Sequence, residues 1–498
     1  MAISLDQAYV ASSPTGVSES GGIFGIWNHP HAPQITYFGL HALQHRGQTS
    51  VGITSREGGQ IYNHRGLGLL NHVFKQEHLL NDLKGSYALG HVRSASHLDR
   101  DENSNIQPLN FKLSYGYLSL THNGNITNAQ TLRKQLEKQG AVFHSSSDAE
   151  LLVHLMQHSS EQDIERKLVE AVQHLTGGFN FALLVEDGLY GIVDPSCFRP
   201  LLIGRATNGA FILASETCAI YSVGAEVIDI VSAGQYVKID HDGYQIRSYK
   251  PSLGISIEPM EFIYFARPDS DIFNINVHSA RKETGKILAQ EAPAPQADLV
   301  IGVPNSSLSA ASGFAEASGL PYEMGLIKHQ YMGRTFIQPT QAMREQGVKQ
   351  KLSAVRKIVQ DKSIVLVDDS IVRGTTSKRL VVLLKEAGAR EIHMRIASPP
   401  IRFPNYFGID VQTNQQLIAS NRTVKQICQY IGADSLAFLS IDGLRQGILS
   451  QDHSHSIDIC TAGFNGQTTA DLGDYRQEFE KNLTPLQQRI LKGENVDE

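Results

Sequence analysis

Residues 364–377 read as an apolar strand, a pair of carboxylates and a Gly/Thr-rich loop that opens a helix. Ile364-Val365-Leu366-Val367 has no polar face, so both sides of that strand must be covered, as in a parallel sheet sandwiched by helices. Asp368 and Asp369 stand at its carboxyl end, where open parallel sheets bind their ligands. The following loop, through Arg373, Gly374, Thr375, Thr376 and Ser377, offers backbone N–H groups, hydroxyls and a helix N-terminus, which suit a phosphate. The two aspartates suit ribose hydroxyls and a hard cation such as Mg2+. Simple capping of the next helix is the competing reading.

The neighbouring sequence supports a parallel sheet. From about residue 251, short Val/Ile-rich runs (297–307, 362–369, 391–400) alternate with helical stretches (to about 318, and 378–389). A second strand end, Gly302-Val303-Pro304-Asn305-Ser306-Ser307, belongs to the same pattern. Before residue 250 the texture differs. Residues 35–48 carry apolar side chains at helical spacing, and 118–128 read as a strand entering an Asn123-Gly124 turn. Ser147-Asp148-Ala149-Glu150 precedes an apolar run and predicts a capping box with Ser147 at the helix start. Residues 177–194 read as a hairpin turning at Asp187-Gly188. This half is expected to be a layered α+β unit.

Composition excludes several classes. Lys plus Arg total 44 against 50 Asp plus Glu, a formal charge of −6, which argues against an electrostatic nucleic-acid binder. No run of 18 apolar residues occurs, so no membrane-spanning helix is expected. Residues 1–20 have neither a basic n-region nor an apolar h-region and read as a flexible leader, not a secretory signal. The four cysteines are scattered, without a CxxC pair, which points to a reducing cytoplasm.

Residues 364–377 resemble the phosphoribosyl pyrophosphate signature of type I phosphoribosyltransferases. In the other half, Gln44-His45-Arg46-Gly47-Gln48, Gly90-His91-Val92-Arg93, Thr121-His122-Asn123-Gly124-Asn125 and Ser147-Asp148 resemble glutamine amidotransferases of the N-terminal-nucleophile type. Together, in this order and over about residues 20–470, they resemble the amidophosphoribosyltransferase family. The resemblance implies a four-layer αββα amidotransferase domain (21–250) and a type I phosphoribosyltransferase domain with a mostly parallel sheet (251–470); the polar C-terminal tail (471–498) reads from its composition as a surface helix that ends disordered. It implies that Arg93 binds the glutamine α-carboxylate, Asp148 its amino group, and Asn123 with the Gly124 amide an oxyanion. It further implies that Ser306, Asp368 and Asp369 hold Mg2+, and that 373–377 bind phosphate. Residues 325–357 are either a solvated basic helix or a lid whose Lys328, Arg334 and Lys349 close over pyrophosphate. Purine nucleotides are implied as inhibitors, and a homo-oligomer as the assembly.

The departures from the family pattern decide the expected chemistry. Where the family places its N-terminal cysteine, this chain has Gly21, and no cysteine precedes Cys197. A thiol mechanism there cannot operate. Some members hold an iron–sulfur cluster through four cysteines. The matching positions here are Glu258, Asn405 and the stretch 457–463, where only Cys460 remains, so no cluster is expected. Asn305 replaces a common acidic residue, and His329-Gln330 a common Asn-Arg. Three readings stand: a transferase using ammonia alone, a non-catalytic paralogue that binds phosphoribosyl pyrophosphate or purine nucleotides, and a glutamine-dependent enzyme with another nucleophile such as Ser20.

Overall fold

The computed structural model describes residues 21–94, 103–114, 116–329, 352–409, 413–452 and 456–497. The first half stacks two antiparallel sheets. One has seven strands, in the order Glu226–Ile230, Leu202–Arg205, Phe211–Ala214, Gly21–Trp27, Tyr87–Arg93, Ser50–Glu57 and Gln60–Leu67. The other has six, in the order Gly243–Ser248, Gln235–Asp240, Leu189–Val193, Gly177–Leu184, Gly116–Ile126 and Leu109–Leu113.

The period-2 alternation of Gly21–Trp27 explains the layering. Ile23 and Trp27 point between the sheets, against Leu184, Leu189 and Val237. Phe24 and Ile26 point outward, against Leu40, Leu43 and Ile220 of the helical layer formed by Ala32–Ala42 and Thr217–Ser222. On the far side, Ala129–Lys138, Glu150–His158 and Ile164–Gln173 cover Leu118, Phe179 and Phe181. The result is the four-layer αββα arrangement.

The second half is built on a parallel sheet ordered Leu299–Gly302, Ser363–Asp368, Glu391–Ile396 and Ser435–Phe438. Its central strand is apolar on both faces because both are covered. Val365 and Val367 meet Leu288, Phe314 and Leu444, whereas Ile364 and Leu366 meet Leu380, Leu384 and Ile427. A π-helical turn, Glu261–Phe265, links this half to the first. Among the described residues no helix is long and apolar enough to cross a membrane.

Three local expectations need correction. Asn123 and Gly124 do not form a turn. The strand Gly116–Ile126 runs through them, pairing Asn123 with Asn180 and Gly124 with Phe179. Gly124 has φ +119°, and a Cβ there would come within 2.0 Å of the Gly178 carbonyl oxygen, so only glycine lets the strands close. Nor does Ser147 cap the helix, which starts at Glu150. Glu150 instead folds back on the preceding loop, accepting hydrogen bonds from the His144 amide (2.9 Å), the Ser145 amide (2.8 Å) and the Ser145 hydroxyl (2.6 Å). The polar tail carries the expected helix, as Arg476–Lys481 and Pro485–Leu491, but it packs across both halves up to residue 497 rather than ending loose. The Asp474 carboxylate accepts from the Thr131 amide at 3.1 Å, Gln487 is fully buried and donates to the Arg402 carbonyl at 2.6 Å, and Asp497 pairs with Arg402.

Candidate functional site

At the carboxyl end of the central parallel strand, Asp368 and Asp369 are both buried. Asp369 accepts hydrogen bonds from Ser306 (2.5 Å), Ser307 (3.4 Å) and Ser370 (2.7 Å), and Ser307 also donates to Asp368 at 3.0 Å. The two strand ends singled out in the sequence therefore meet at one point. Burial, reinforced by the negative charge of Asp369, pushes the Asp368 carboxyl well above the usual carboxylate range. Behind the pair lies a small cleft lined by Phe262, Arg281, Thr284, Ser306, Asp369 and Leu444, among others.

The loop that follows turns at Gly374, whose φ of +74° precedes the helix Thr375–Glu386. Gly374 and Ser377 are buried, whereas Arg373, Thr375 and Thr376 are half-buried. Asn305 is exposed beside this strand end. Lys328 is exposed at the end of the short strand Leu326–Lys328, and the neighbouring His329 meets the Ser353 hydroxyl at 2.9 Å. Arg334 and Lys349 lie outside the described residues.

In the first half the structure places Gly21 beside Arg93, its cross-strand partner, and, through the His91 ring, near Asn123. His91 Nε2 donates to Asn123 Oδ1 at 2.7 Å, and Asn123 Nδ2 donates to Ser215 Oγ at 3.3 Å. Burial drives the His91 imidazole down to about 3, against the Asn123 hydrogen bond, so the ring is neutral at physiological pH. Asp148 accepts from the Ile126 amide at 2.9 Å and pairs with His122 at 3.2 Å. Burial opposes its ionisation, but the His122 charge and these hydrogen bonds outweigh that and hold Asp148 below its ordinary value.

Gly21 presents no nucleophile, and a Cβ built on its backbone would sit 2.7 Å from the His91 ring and 2.5 Å from the Val92 carbonyl oxygen. All four cysteine thiols are pushed up by burial, which disfavours the thiolate.

Glu150 supports the loop that carries Asp148. Burial opposes its charge, yet hydrogen bonds from His154, Ser145 and His144 pull it down to about 2 from 4.5. A depressed carboxylate adds stability that is complete above its unfolded value and is lost as pH falls through its folded one. Stability is therefore expected to fall between pH 4.5 and 2, and Glu150→Gln to flatten that part of the acid-unfolding curve.

Comparison with known proteins decides the family. A model described as a glutamine amidotransferase domain matches residues 91–222. The amidophosphoribosyltransferase of Staphylococcus epidermidis is 52% identical over 96% of this chain and 97% of that protein. That of Bacillus subtilis is 49% identical over 92% and 95%.

The chain belongs to the amidophosphoribosyltransferase family.

The structure of the B. subtilis glutamine phosphoribosylpyrophosphate amidotransferase, solved with ADP and GMP, is similar at a TM-score of 0.85. The two are 48% identical, with 91% of this chain and 98% of that one covered. Amidophosphoribosyltransferases are pentosyltransferases of purine biosynthesis.

Mg2+ fits the Asp368–Asp369 end. Two adjacent carboxylates beside the Ser306 and Ser307 hydroxyls are a hard oxygen donor set whose mutual repulsion a divalent cation would relieve, and Mg2+ takes its other ligands from water and substrate. An iron–sulfur cluster does not fit the positions matching those of cluster-bearing members. They carry a carboxyl, a carboxamide and a single thiol, and the first two are hydrogen-bonded to each other at 2.8 Å.

Sequence reading missed what joins the halves. Arg46 is buried and ion-paired with Glu216 of the first half and, at 2.6 Å, with Glu261 of the π-helical turn. Arg281, also buried, donates to the carbonyls of Phe262 (2.5 Å) and Ala266 (2.9 Å), fastening that turn beside Asp369. Nothing in the local pattern around either arginine signals these partners.

Proposed function

We propose that this chain forms 5-phosphoribosylamine from phosphoribosyl pyrophosphate, with free ammonia as its nitrogen donor. The observation that supports the reading is a contrast within one molecule. The Asp368–Asp369–Ser306–Ser307 cluster is complete, whereas the nucleophile position of the amidotransferase half is Gly21. The backbone and hydroxyls of 373–377 hold the 5′-phosphate at the helix N-terminus. Asp368 and Asp369 orient the ribose hydroxyls and, with Ser306, would hold Mg2+. Bound there, Mg2+ supplies charge neutralisation for the departing pyrophosphate. The ammonia lone pair forms the bond to C1, the C1–oxygen bond breaks with its electron pair on pyrophosphate, and the new ammonium centre loses a proton to solvent. Lys328, Arg334 and Lys349 would counter the pyrophosphate charge.

Arg93 and Asp148, with Asn123 and Gly124, keep glutamine as a candidate ligand rather than a substrate, because no side chain at residue 21 can attack its amide. Purine nucleotides acting as inhibitors, a homo-oligomer and a cytoplasmic location belong to the same reading. A second reading is a non-catalytic paralogue that binds phosphoribosyl pyrophosphate or purine nucleotides and regulates or pairs with an active copy; the similar B. subtilis amidotransferase, solved with ADP and GMP, supports nucleotide binding in either reading.

The test is pyrophosphate release by the purified chain with Mg2+ and either ammonium or glutamine, using an Asp368→Ala/Asp369→Ala double variant as blank. Release with ammonium alone is expected. Release with glutamine would overturn the assignment of Gly21 and direct attention to Ser20, which lies outside the described residues. Silence with both donors, while phosphoribosyl pyrophosphate or a nucleotide still binds, would favour the non-catalytic paralogue.

A further inference from the structure

Glu258 and Asn405 meet where three segments of the second half converge on the first. Both side chains are buried. Asn405 Nδ2 donates to Glu258 Oε2 at 2.8 Å, and Asn405 Oδ1 accepts the Phe407 amide at 2.8 Å. One carboxamide thus grips Glu258 with its donor and shapes the 405–407 turn with its acceptor. The adjoining segments are tied in by their backbones. Cys460 N–H donates to the Ile257 carbonyl at 2.8 Å, and Gly463 accepts from the Arg402 (2.9 Å) and Phe403 (3.0 Å) amides.

The turn that Asn405 shapes is seated on the amidotransferase half. Glu258 N–H donates to the Phe198 carbonyl at 3.0 Å, and the Phe198 ring stacks on Phe407 at 4.7 Å. Arg199 donates to the carbonyls of Phe407 (2.6 Å) and Gly408 (2.8 Å). Asn125 Nδ2 donates to the Tyr406 carbonyl at 2.7 Å. Gly408, at φ +93°, lies so close to Gly124 that a Cβ on it would stand 2.5 Å from the Gly124 Cα. Backbone touches backbone there, so a shift of the 406–408 turn must be felt at Asn123–Asn125.

In members that hold a cluster, four thiolates occupy the matching positions. Here those positions carry a carboxyl, a carboxamide and the single Cys460 thiol, which do not suit iron. We propose that the Glu258–Asn405 pair is a positioning device that holds residues 403–408 against Asn123–Asn125, so that this junction between the halves is fastened by hydrogen bonds and ring packing, without iron. The inference does not depend on which nitrogen donor is used.

The test combines metal analysis with hydrogen exchange on the full chain purified in air. Iron and acid-labile sulfide are expected to be absent, and a chelator to leave the melting temperature unchanged. Asn405→Ala is expected to speed amide exchange about tenfold or more in peptides covering 403–409 and 121–126, while the parallel strand 363–368 keeps its protection. Glu258→Ala should do the same. Glu258→Gln, whose amide oxygen still accepts from Asn405, should leave all three regions unchanged. If Asn405→Ala does not fold, Asn405→Ser, which cannot reach both partners, is read in the same way. Stoichiometric iron and sulfide would overturn the proposal. So would faster exchange confined to 403–409, acceleration spread evenly over the chain, or a Glu258→Gln protein that exchanges like Glu258→Ala.

Discussion

Asparagine in place of Asp369 is expected to cut ammonia-dependent pyrophosphate release on the order of 10²–10³-fold while leaving the fold intact. The carboxylate is held by Ser306 at 2.5 Å and Ser370 at 2.7 Å at the carboxyl end of the central strand, where the ribose and Mg2+ would be engaged. Asparagine keeps the shape and an acceptor oxygen but removes the charge. Stability should move the other way. Burial and the negative charge of Asp369 keep the Asp368 carboxyl well above its ordinary value, so the metal-free folded chain binds that proton more tightly than the unfolded one. A raised carboxyl loses stability as pH climbs from its unfolded value through its folded one. Asp369→Asn should remove the part of that loss that comes from charge repulsion, while the larger part, from burial, remains, leaving a melting temperature at neutral pH equal to or above that of the parent. An inactive variant that also melts earlier would mean that Asp369 serves the fold rather than the reaction.

The largest expected stability effect lies between the two sites. Methionine in place of Arg46 is expected to cost about 3–5 kcal/mol at neutral pH, because it leaves two buried carboxylates without their shared cation. Glu216 also meets His45 at 2.7 Å, the Ser270 hydroxyl at 2.7 Å and the Arg267 amide at 3.1 Å, so it joins three segments through one side chain. Burial opposes its charge, but His45 and Arg46 overcome this and hold it well below the ordinary carboxylate range. That depressed carboxylate stabilises the parent above its unfolded value and loses the contribution as pH falls. Without Arg46, Glu216 takes up a proton more readily, so the deficit should shrink on acidification. Unfolding measured at pH 7 and pH 5 separates the causes: an equal deficit at both would indicate lost packing alone. Arg46→Lys should recover only part of the loss, since a point charge cannot span both carboxylates.

What could be read from the sequence was what is encoded within a few residues. Val365 and Val367 alternate with Ile364 and Leu366, and that run is enough to demand a strand covered on both faces, with Asp368 and Asp369 at its end. Gly21 is equally plain, because the lack of a nucleophile is a property of one side chain. The capping-box signature at Ser147 found a real helix but misplaced its start. Glu150 had better partners in the His144 and Ser145 amides, which the folded loop brings to it. Asn123-Gly124 has turn chemistry, yet pairing with Asn180 and Phe179 carries the strand straight through, since cross-strand hydrogen bonds outweigh a local preference. The Arg46 ion pairs span about 170 and 215 residues, and the Glu258–Asn405 bond spans 147. Their energy comes from burying charge and polar groups together after the halves have met, a condition that no short window of sequence records. Sequence alone thus determined the family, the apolar strand that ends in Asp368-Asp369, and the glycine at residue 21. Tertiary structure decided which buried groups join the two halves, because the partners of a desolvated charge are set by the whole fold.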